Sequence, residues 1–382
     1  MRLSINMGIA GLFKLNIAIL LIFVSTAATA DPCSIDIKVE YFLQEGINTP
    51  QLIPVKDSDS MIQLQFDDAN SFHDGLARIE IGRKYGFIDK TGKIVIKPQF
   101  DRYTYKFHNG LARVNIGEKY GFINKTGKIV IKPQFEYASE FSEELASIRI
   151  GEKSGSAYID KNGKIIIKHS YHIAHDFSEG LARVKNSYQF GFIDKTGRIV
   201  IPLQYDNASD FHEGLASVQI GGTYGFINKL GNLVIQPKFE NYSDFYEGLG
   251  RLKVGEKFGF IDKSGKFVIQ PIFDGASIFI DGMASVQIEG KYGLIDKHGK
   301  FVIEPQSGYV SNFTEGIAYV RIGDKFGYID KAGNIVVRPL FDKAYDVSEG
   351  MAAVGIGNEY RVPFRKFGFL NFTKCIQNGS LP

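Results

Sequence analysis

The feature that constrains this chain most is its internal repetition. Lys84 to Phe100 reads KYGFIDKTGKIVIKPQF, and 35 residues later Lys119 to Phe135 reads KYGFINKTGKIVIKPQF. One apolar position recurs at spacings of 35, 34 and 36 residues and then of 34 residues five times: Phe72, Phe107, Phe141, Phe177, Phe211, Phe245, Phe279, Phe313 and Val347. These positions define eight full units from Phe72 to Asp346 and a partial ninth that ends at about Asn371. Such a period is typical of architectures whose units are stable only when packed on their neighbours.

Each unit has the apolar pattern of short β-strands. Alternate residues from Ala77 to Ile81 are apolar, which predicts a half-buried strand. A second strand is predicted at Tyr85 to Ile88 and a third in the KIVI segment, which Pro98 is expected to end. The segment that returns to the next unit is long enough for a short fourth strand or an irregular crossing. Since no helical periodicity follows the N-terminal region, the sequence predicts an all-β fold.

Two positions of the repeat are nearly constant. In the DKTG turn, Asp89 can bond its own backbone and Gly92 can supply the positive φ that closes the turn. The turn glycine recurs as Gly92, Gly127, Gly163, Gly197, Gly231, Gly265, Gly299 and Gly333. An aromatic residue after the proline recurs as Phe100, Phe135, Tyr171, Tyr205, Phe239, Phe273, Tyr309 and Phe341. Both recurrences are what stacked units need, because each unit must offer its neighbours the same packing surface.

The repeated segment KYGFIDKTGKIVIKPQFD closely resembles the WG repeat, also called the KWG repeat, of bacterial proteins. The resemblance covers roughly residues 62–371, but Tyr or Phe replaces the eponymous Trp throughout, and the third unit departs further with SGSAYIDKNG. It implies an all-β repeat protein, usually of unknown function, with no catalytic residues to transfer. The pattern is more loosely similar to the hairpin repeats of cell-wall-binding modules, in which aromatic residues of adjacent repeats form ligand clefts.

Two architectures fit tandem β-meander units of about 34 residues, and the sequence favours a closed, propeller-like ring over an open β-solenoid. Met61 to Phe72 matches the second half of a unit, and Glu349 to Phe372 matches a first half with an insertion, so the two ends together make one more unit. The predicted organisation is a signal peptide at 1–30, an N-terminal segment at 31–60, a repeat domain at 61–372 (half unit, eight full units, half unit) and a tail at 373–382.

The N-terminus predicts export. Arg2 and Lys14 precede the apolar run LNIAILLIFV, and the small residues that follow end in Ala-Thr-Ala at Ala30, as in a secretory signal peptide. The run is short for a membrane span of about 20 residues, so we expect no stable span after cleavage, although an uncleaved anchor is the alternative. The expected location is periplasmic, secreted or at the cell surface. Residues 1–30 hold two of the 45 Lys and Arg and none of the 42 Asp and Glu, so the mature charge is +1, which gives no general attraction for nucleic acid.

The chain has two cysteines, Cys33 and Cys375, near the ends of the mature sequence. An exported pair in an oxidising compartment is often a disulfide, and two separate thiols are the alternative. In a rod, eight units at roughly 10 Å per packed sheet would separate the ends by about 80 Å, whereas a ring would bring them close. The predicted disulfide therefore also favours the ring.

The segment HSYHIAHD in the third unit is the one cluster that breaks the repeat pattern. His169, His172 and His175 are weak candidates for metal ligands, since imidazole binds zinc and copper well. Residues three apart in a strand point to opposite faces, so a solvated connecting loop is the preferred interpretation. We predict no metal and no cofactor.

Three rows of side chains repeat from unit to unit. Carboxylates recur before the first strand, at Asp74, Glu143, Glu144, Glu179, Glu213, Glu247, Asp281, Glu315 and Glu349, and lysines recur in the DKTG turn, at Lys90, Lys125, Lys161, Lys195, Lys229, Lys263, Lys297 and Lys331. A four-strand path places both rows on one edge, where we expect weak exposed ion pairs, with an anion-binding edge as the alternative. The aromatics Tyr85, Tyr120, Tyr224 and Phe258 are expected to pack between strands rather than form a ladder for glycan stacking.

These observations predict a non-enzymatic, exported β-repeat scaffold that binds an unknown protein or cell-envelope partner through repeated surface contacts. A hydrolase needs two carboxylates in distinct environments, and here every unit has the same carboxylate in the same context. Two alternatives stay open. One is an envelope-glycan-binding module that uses aromatic clefts, and the other is a glycan hydrolase or lyase on a propeller, with its pocket near HSYHIAHD.

Overall fold

The computed structural model describes residues 35, 37–44, 47–54, 61–151, 156–168, 171–241, 244–306, 308–357 and 366–377. The predicted signal peptide at residues 1–30 lies outside these residues. Cys33 to Pro382 forms one compact unit. In the described part of the chain, no helix is long and apolar enough to cross a membrane.

The protein is an all-β ring of nine small antiparallel sheets, a nine-bladed propeller. Two strands, β1 (Ile37–Gln44) and β2 (Ile47–Pro54), form a separate hairpin, and β3 (Met61–Phe66) precedes the first blade. Blades 1 to 3 are built from β4 (Asp68–His73), β5 (Leu76–Ile81), β6 (Lys84–Ile88), β7 (Ile94–Phe100); β8 (Phe107–His108), β9 (Leu111–Ile116), β10 (Lys119–Asn124), β11 (Ile129–Phe135); and β12 (Tyr137–Ala138), β13 (Ala146–Arg149), β14 (Ser156–Ile159), β15 (Ile165–Lys168).

Blades 4 to 6 are built from β16 (Ile173–Ser178), β17 (Leu181–Lys185), β18 (Phe190–Asp194), β19 (Ile199–Tyr205); β20 (Asn207–Ala208), β21 (Leu215–Ile220), β22 (Thr223–Asn228), β23 (Leu233–Phe239); and β24 (Phe245–Tyr246), β25 (Leu249–Val254), β26 (Lys257–Ile261), β27 (Phe267–Phe273). Blades 7 to 9 are built from β28 (Gly275–Ala276), β29 (Met283–Ile288), β30 (Lys291–Asp296), β31 (Phe301–Gln306); β32 (Ile317–Ile322), β33 (Lys325–Asp330), β34 (Ile335–Phe341); and β35 (Lys343–Ala344), β36 (Met351–Ile356), β37 (Lys366–Asn371) with β3. A short helix, α1 (Thr373–Gln377), follows the last strand.

Strands from both ends of the repeat region complete blade 9 and close the ring. Its strand order is β35-β36-β37-β3, with Ile62 opposite Phe369. Ile62 then packs under the DKTG turn of blade 1, where a Cβ on Gly92 would lie 3.1 Å from it, as Ile96 packs under Gly127 in the next blade. The two half units therefore form one blade, and the predicted closed ring is confirmed.

The core lies between blades. In blade 1, Phe87 on β6 contacts Phe107 at the start of blade 2, with ring centroids 4.7 Å apart and the rings edge to face. The same pair joins other neighbours: Phe122 with Phe141, Tyr158 with Phe177, Phe192 with Phe211, Phe226 with Phe245, and Phe260 with Phe279. At the closure, Phe369 contacts Phe72 at 5.0 Å. Such pairs add stability beyond the area that they bury, so each blade depends on the next.

In nearly every unit a glycine follows the repeated aromatic residue, as Gly86 follows Tyr85. The shape of the neighbouring outer strand explains why. Tyr85 pairs with Phe100 and Phe87 with Ile96, so β7 bulges beside Gly86. A Cβ on Gly86 would lie 2.5 Å from the Ile96 carbonyl oxygen, so only glycine fits there. The expectation that Pro98 ends the strand is wrong, because β7 continues through it. An outermost strand tolerates proline since its unpaired side needs no donor.

Blade 3 supports this explanation by lacking both features. Ala157 replaces the glycine, and the position of Pro98 falls on His169, which lies outside the described residues. There, Ala157 pairs directly with Lys168 and Tyr158 with Ile167, without the bulge at that point. The glycine and the bulge thus occur together, and they do so even in blade 9, where Gly368 lies beside the bulge although Leu64 stands at the proline position.

The predicted turn chemistry is confirmed, and one position of the aromatic row is wrong. Gly92 has φ of 84°, and the Asp89 carboxylate accepts the Thr91 amide at 2.9 Å. Tyr309, in contrast, is not the aromatic of the outer strand in blade 7, where Tyr292 pairs with Gln306. It belongs to blade 8, and its carbonyl accepts the Arg321 amide at 2.8 Å.

The segment before the repeats covers part of one outer strand. The Ile35 amide donates to the Val336 carbonyl at 2.9 Å, and Ile35 joins the core cluster of blades 8 and 9. Val336 is only 2% exposed, whereas Val95 and Val130, at the same position in blades 1 and 2, are 39% and 40% exposed.

Phe369→Ala should destabilise the protein by about 3–5 kcal/mol, because it removes a fully buried ring at the ring closure. Phe260→Ala is the equivalent change in blade 6, away from the closure, and it should lower the stability by the same amount. Denaturant unfolding of both variants measures the two free energies of unfolding. A loss below about 1 kcal/mol for Phe369→Ala alone would contradict a closed ring, because an open end would bury little there.

Gly225→Ala should destabilise by about 1–3 kcal/mol through overpacking, since its Cβ would meet the Ile235 carbonyl oxygen at 2.5 Å. Ala157→Gly in blade 3, where the strand does not bulge, is the control and should cost no more than about 1 kcal/mol. Thermal melts compare the two. If Gly225→Ala were neutral, the bulge would not be the reason for the glycine.

Candidate functional site

Two turns of a blade lie on the same edge of the ring: the turn between its first and second strands and the DKTG turn after its third strand. We call this edge the turn edge. Glu179 in blade 4 reaches blade 5, where its carboxylate accepts the Gly214 amide at 3.0 Å and pairs with Lys229 Nζ at 3.0 Å. Equivalent ion pairs join Lys195 to Glu143, Lys263 to Glu213, Lys297 to Glu247 and, across the closure, Lys90 to Glu349. The predicted pairing of the two rows is therefore present, and each pair links neighbouring blades.

Three of these carboxylates, Glu143, Glu179 and Glu213, have a lowered pKa, which keeps them ionised. Burial alone would raise the pKa of Glu179, but hydrogen bonds from the Lys229 ammonium and the Gly214 amide outweigh it and lower the pKa. The pKa of Glu143 and of Glu213 is lowered by the same balance. Groups that share one role and one environment do not form the contrasting acid and base that a hydrolase requires.

Two departures show how the row tolerates change. Asn109 replaces the carboxylate in blade 2, and Lys161 of blade 3 pairs instead with Glu144 of its own blade at 2.8 Å. In blade 9, Phe372 stands at the lysine position, and Glu315 accepts the amides of Glu349 and Gly350. The ion pair between the turn lysine and the carboxylate of the preceding blade is thus repeated around the ring, but individual blades lack it.

The candidate metal ligands do not converge. His172 is exposed, and His169 lies outside the described residues. His175 lies in β16 rather than in the predicted loop, and its Nδ1 is 3.1 Å from the Arg183 guanidinium. Burial and that cation lower the pKa of His175. No group of three or more His, Cys, Asp or Glu that could hold a metal occurs in the described part of the chain.

Cys375 lies in α1 and is 4% exposed. Its predicted partner, Cys33, lies outside the described residues. The disulfide therefore stays a prediction.

Of the four aromatics predicted to pack between strands, Tyr85, Tyr120 and Phe258 lie under arginines, whereas the Tyr224 hydroxyl accepts a hydrogen bond from Asn207 at 3.2 Å. The Arg78 guanidinium lies 4.7 Å from the Tyr85 ring centroid and donates to the Thr104 carbonyl of blade 2 at 2.6 Å. Blades 2, 4 and 6 repeat this contact with Arg113 on Tyr120, Arg183 on Phe190 and Arg251 on Phe258, each donating to the carbonyl of Ala138, Ala208 or Ala276 in the next blade. In blade 4, Arg183 also pairs with Asp210 at 3.3 Å.

A second kind of interface alternates with this one, which the sequence reasoning missed. The Ser285 amide of blade 7 donates to Ser277 Oγ, and Ser277 Oγ donates to Asn312 of blade 8 at 2.6 Å. Ser139 and Ser209 hydrogen-bond in the same way to Asp176 and Asp244, whose pKa burial raises. The available signal was the alternation Arg113, Ser147, Arg183, Ser217, Arg251, Ser285 at one position of the repeat.

Blades 8 and 9 leave this alternation, and a cleft lies between blades 7 and 9. Ser285, Tyr319 and Ala353 occupy the arginine position in three consecutive blades. A cavity of about 720 Å³ lies between these blades, and a second of about 290 Å³ adjoins it. Tyr292, Tyr309 and Tyr319 line both. We call this space the tyrosine cleft. Its larger cavity is lined by Gly308 and Lys343, where the chain passes between blades, on the edge opposite the turn edge.

The tyrosine cleft combines aromatic walls with a few charges. The rings of Tyr292 and Tyr309 lie 5.3 Å apart, and those of Tyr309 and Tyr319 lie 5.7 Å apart. Burial and the neighbouring Tyr309 raise the pKa of Tyr319. Arg321 and Lys343 line the larger cavity and Asp346 the smaller, where desolvation raises the pKa of Asp346. A volume of several hundred Å³ with aromatic walls and polar groups between them suits a binding site.

A sequence profile described as WG containing repeat matches nine segments of the chain: 59–85, 85–120, 120–153, 157–188, 190–224, 224–258, 258–292, 292–326 and 326–360. No curated protein sequence matches the chain. Among solved structures, a eukaryotic initiation factor aligns with a TM-score of 0.56 and 10% identity over 82% of this chain and 94% of that chain. At that identity the likeness concerns the fold alone.

Two further structures align less closely. The WD40 domain of SCAP from fission yeast has a TM-score of 0.39 and 9% identity over 89% of this chain and 99% of that domain. Virginiamycin B lyase from Staphylococcus aureus has a TM-score of 0.33 and 14% identity over 61% of this chain and 93% of that chain.

Glu179→Gln should lower stability at pH 7 by up to about 1 kcal/mol, since it removes the charge that Lys229 pairs with. Because the pKa of Glu179 is lowered from 4.5, the stabilisation is present above that pH and is lost as pH falls through the folded pKa. The difference from the parent protein should therefore vanish in acid, which thermal melts at several pH values will show. Glu315→Gln removes a carboxylate that faces Phe372 at the repeat position of the lysine, and it should cost less. Equal losses at pH 7 would mean that Lys229 contributes nothing to the stability.

Proposed function

The chain belongs to the WG containing repeat family, and from that premise we propose that it is a non-enzymatic, exported scaffold that binds a protein or cell-envelope partner, with the tyrosine cleft as its main contact site. A propeller of similar repeats offers many equivalent surfaces, and binding can be spread over them. The export element of the proposal rests on the N-terminal sequence.

One observation supports this proposal above the others: the arginine that covers the repeated aromatic ring in four other blades is missing from its repeat position at the cleft. In blades 1, 2, 4 and 6 an arginine covers the repeated aromatic ring. At the cleft, Ser285 and Tyr319 stand at the arginine position, and Tyr292, Tyr309 and Tyr319 line a cavity in which Tyr309 is 36% exposed. Exposed aromatic side chains beside a cavity are the residue type that most often dominates binding energy at interfaces.

The alternatives are weaker on the same geometry. A hydrolase would need two carboxylates flanking its bond, and Asp346 is the one carboxylate among the residues that line the two cavities. The cleft also lies in blades 7 to 9 and not at HSYHIAHD in blades 3 and 4, where an enzymatic pocket was expected. The tyrosine rings do favour an envelope-glycan-binding module as a second candidate, since sugars stack on such rings.

Immobilised protein of residues 31–382 should retain a partner from envelope extracts, and Tyr309→Ala should weaken retention by about tenfold or more, as loss of a hot-spot aromatic does. Tyr188→Ala is the control, because Tyr188 is 83% exposed in a turn of blade 4, away from the cleft. Both variants should keep the parent melting temperature. Retention that both variants lose equally, or turnover of a purified glycan, would contradict the proposal.

A further inference from the structure

The four covered blades show what chemical group the repeated aromatic position accepts. In each, a guanidinium lies over the ring, at 4.7 Å from Tyr85, 5.0 Å from Tyr120, 5.3 Å from Phe190 and 5.4 Å from Phe258. The same guanidinium donates to a carbonyl of the next blade, and in blade 4 it also pairs with a carboxylate, Asp210. Ring, carbonyl and carboxylate together form a receptor for arginine.

The tyrosine cleft contains the ring, the carbonyl position and the carboxylate of this receptor, but no arginine stands at the repeat position that supplies it in the covered blades. Tyr292 and Phe326 keep the aromatic position in blades 7 and 8, and both line the larger cavity. The Arg321 guanidinium lies 5.9 Å from the Phe326 ring centroid, whereas the Tyr292 ring contacts Tyr309. Ser285 and Tyr319 take the place of the arginine. Ser285 Oγ reaches the Val310 carbonyl at 2.9 Å, a carbonyl at the position that an arginine contacts elsewhere.

The carboxylate is also present, one blade further on. Asp346 of blade 9 occupies the repeat position of Asp210, the partner of Arg183, and it lines the cleft beside Tyr319. Ala344, which also lines the cleft, stands at the position whose carbonyl accepts the arginine in blades 2, 4 and 6. Between blades 8 and 9, therefore, an acceptor position and an acid line the cleft, and Tyr319 stands where the covered blades hold their arginine.

We infer that the tyrosine cleft binds an arginine side chain supplied by a partner protein, which takes the position that this chain's own arginines occupy in the covered blades. The guanidinium stacks on the tyrosine rings and pairs with Asp346. This inference rests on the proposed binding function and specifies the chemistry of its partner.

The mouth of the cleft restricts the partner further. Arg321 and Lys343 line the larger cavity, and Arg321 is paired only loosely, at 3.6 Å, with the exposed Asp324. Two cations in the lining of the larger cavity disfavour a strongly basic segment. The partner segment therefore carries a single arginine among acidic or neutral residues.

The test uses the mature protein and three acetylated, amidated peptides of sequence Glu-Gly-X-Gly-Glu, in which X is arginine, lysine or citrulline. Calorimetry at peptide concentrations into the millimolar range should detect the arginine peptide. The citrulline peptide has the same shape without the charge, and it should bind about tenfold more weakly or not at all. The lysine peptide, which cannot stack as a planar fork, should fall between them.

Two variants locate the site. Ser285→Arg restores the internal arginine and should abolish peptide binding, whereas Ser217→Arg makes the same change in blade 5, away from the cleft, and should leave it intact. Asp346→Asn keeps the shape of the side chain and should weaken binding of the arginine peptide about tenfold while the melting temperature is unchanged.

Three results would overturn the inference. One is equal affinity for the arginine and citrulline peptides, and another is arginine binding that survives both Ser285→Arg and Asp346→Asn. The third is binding of a neutral oligosaccharide, but of no peptide, at the same cleft. If extracts still yield a partner that depends on Tyr309 while no peptide binds, the scaffold function stands and the arginine assignment fails.

Discussion

Every blade of this protein depends on a contact that it cannot make alone. The ring of Phe87 is fully buried because Phe107 of the next blade lies against it, and the same pairing recurs around the molecule. A single four-stranded unit would leave such rings in water on both faces. Closure of the ring removes the two ends at which an open stack would expose them, and this constraint explains why the units stay similar in sequence.

The contacts between blades divide into a constant part and a variable part. The aromatic pairs and the bonds from turn carboxylates to glycine amides recur nearly everywhere, so they specify the ring. The position occupied by Arg78 in blade 1 varies among arginine, serine, tyrosine and alanine, and it decides how the space between two blades is filled. Where three successive blades hold no arginine there, the space stays open as the tyrosine cleft, so the candidate site results from changes at a packing position.

The period, the strand pattern and the matching half units were sufficient to predict the ring of about nine blades and the ion pairs of the turn edge. Three features needed the structure. The glycine beside Pro98 has its reason in a bulge on the neighbouring strand, which no local pattern displays. Tyr309 was placed in the wrong blade because its spacing from Pro305 is two residues longer than that of Phe273 from Pro271. The cleft is formed by side chains from three blades, and the sequence pattern of a single unit does not show that these side chains lie close together.

The completion of blade 9 by β3 has a consequence for the order in which the molecule can form. Lys366 on β37 pairs with Asp67, which lies 299 residues earlier in the chain. A ribosome produces β3 long before its partner strand exists, so the earliest strand of the ring is among the last to find its place. Contacts between such distant residues form slowly, because a long loop must close before they contribute any stability. Until then the chain has two unsatisfied strand edges, and it is in this interval, rather than after closure, that it is most exposed to mispairing and to proteases.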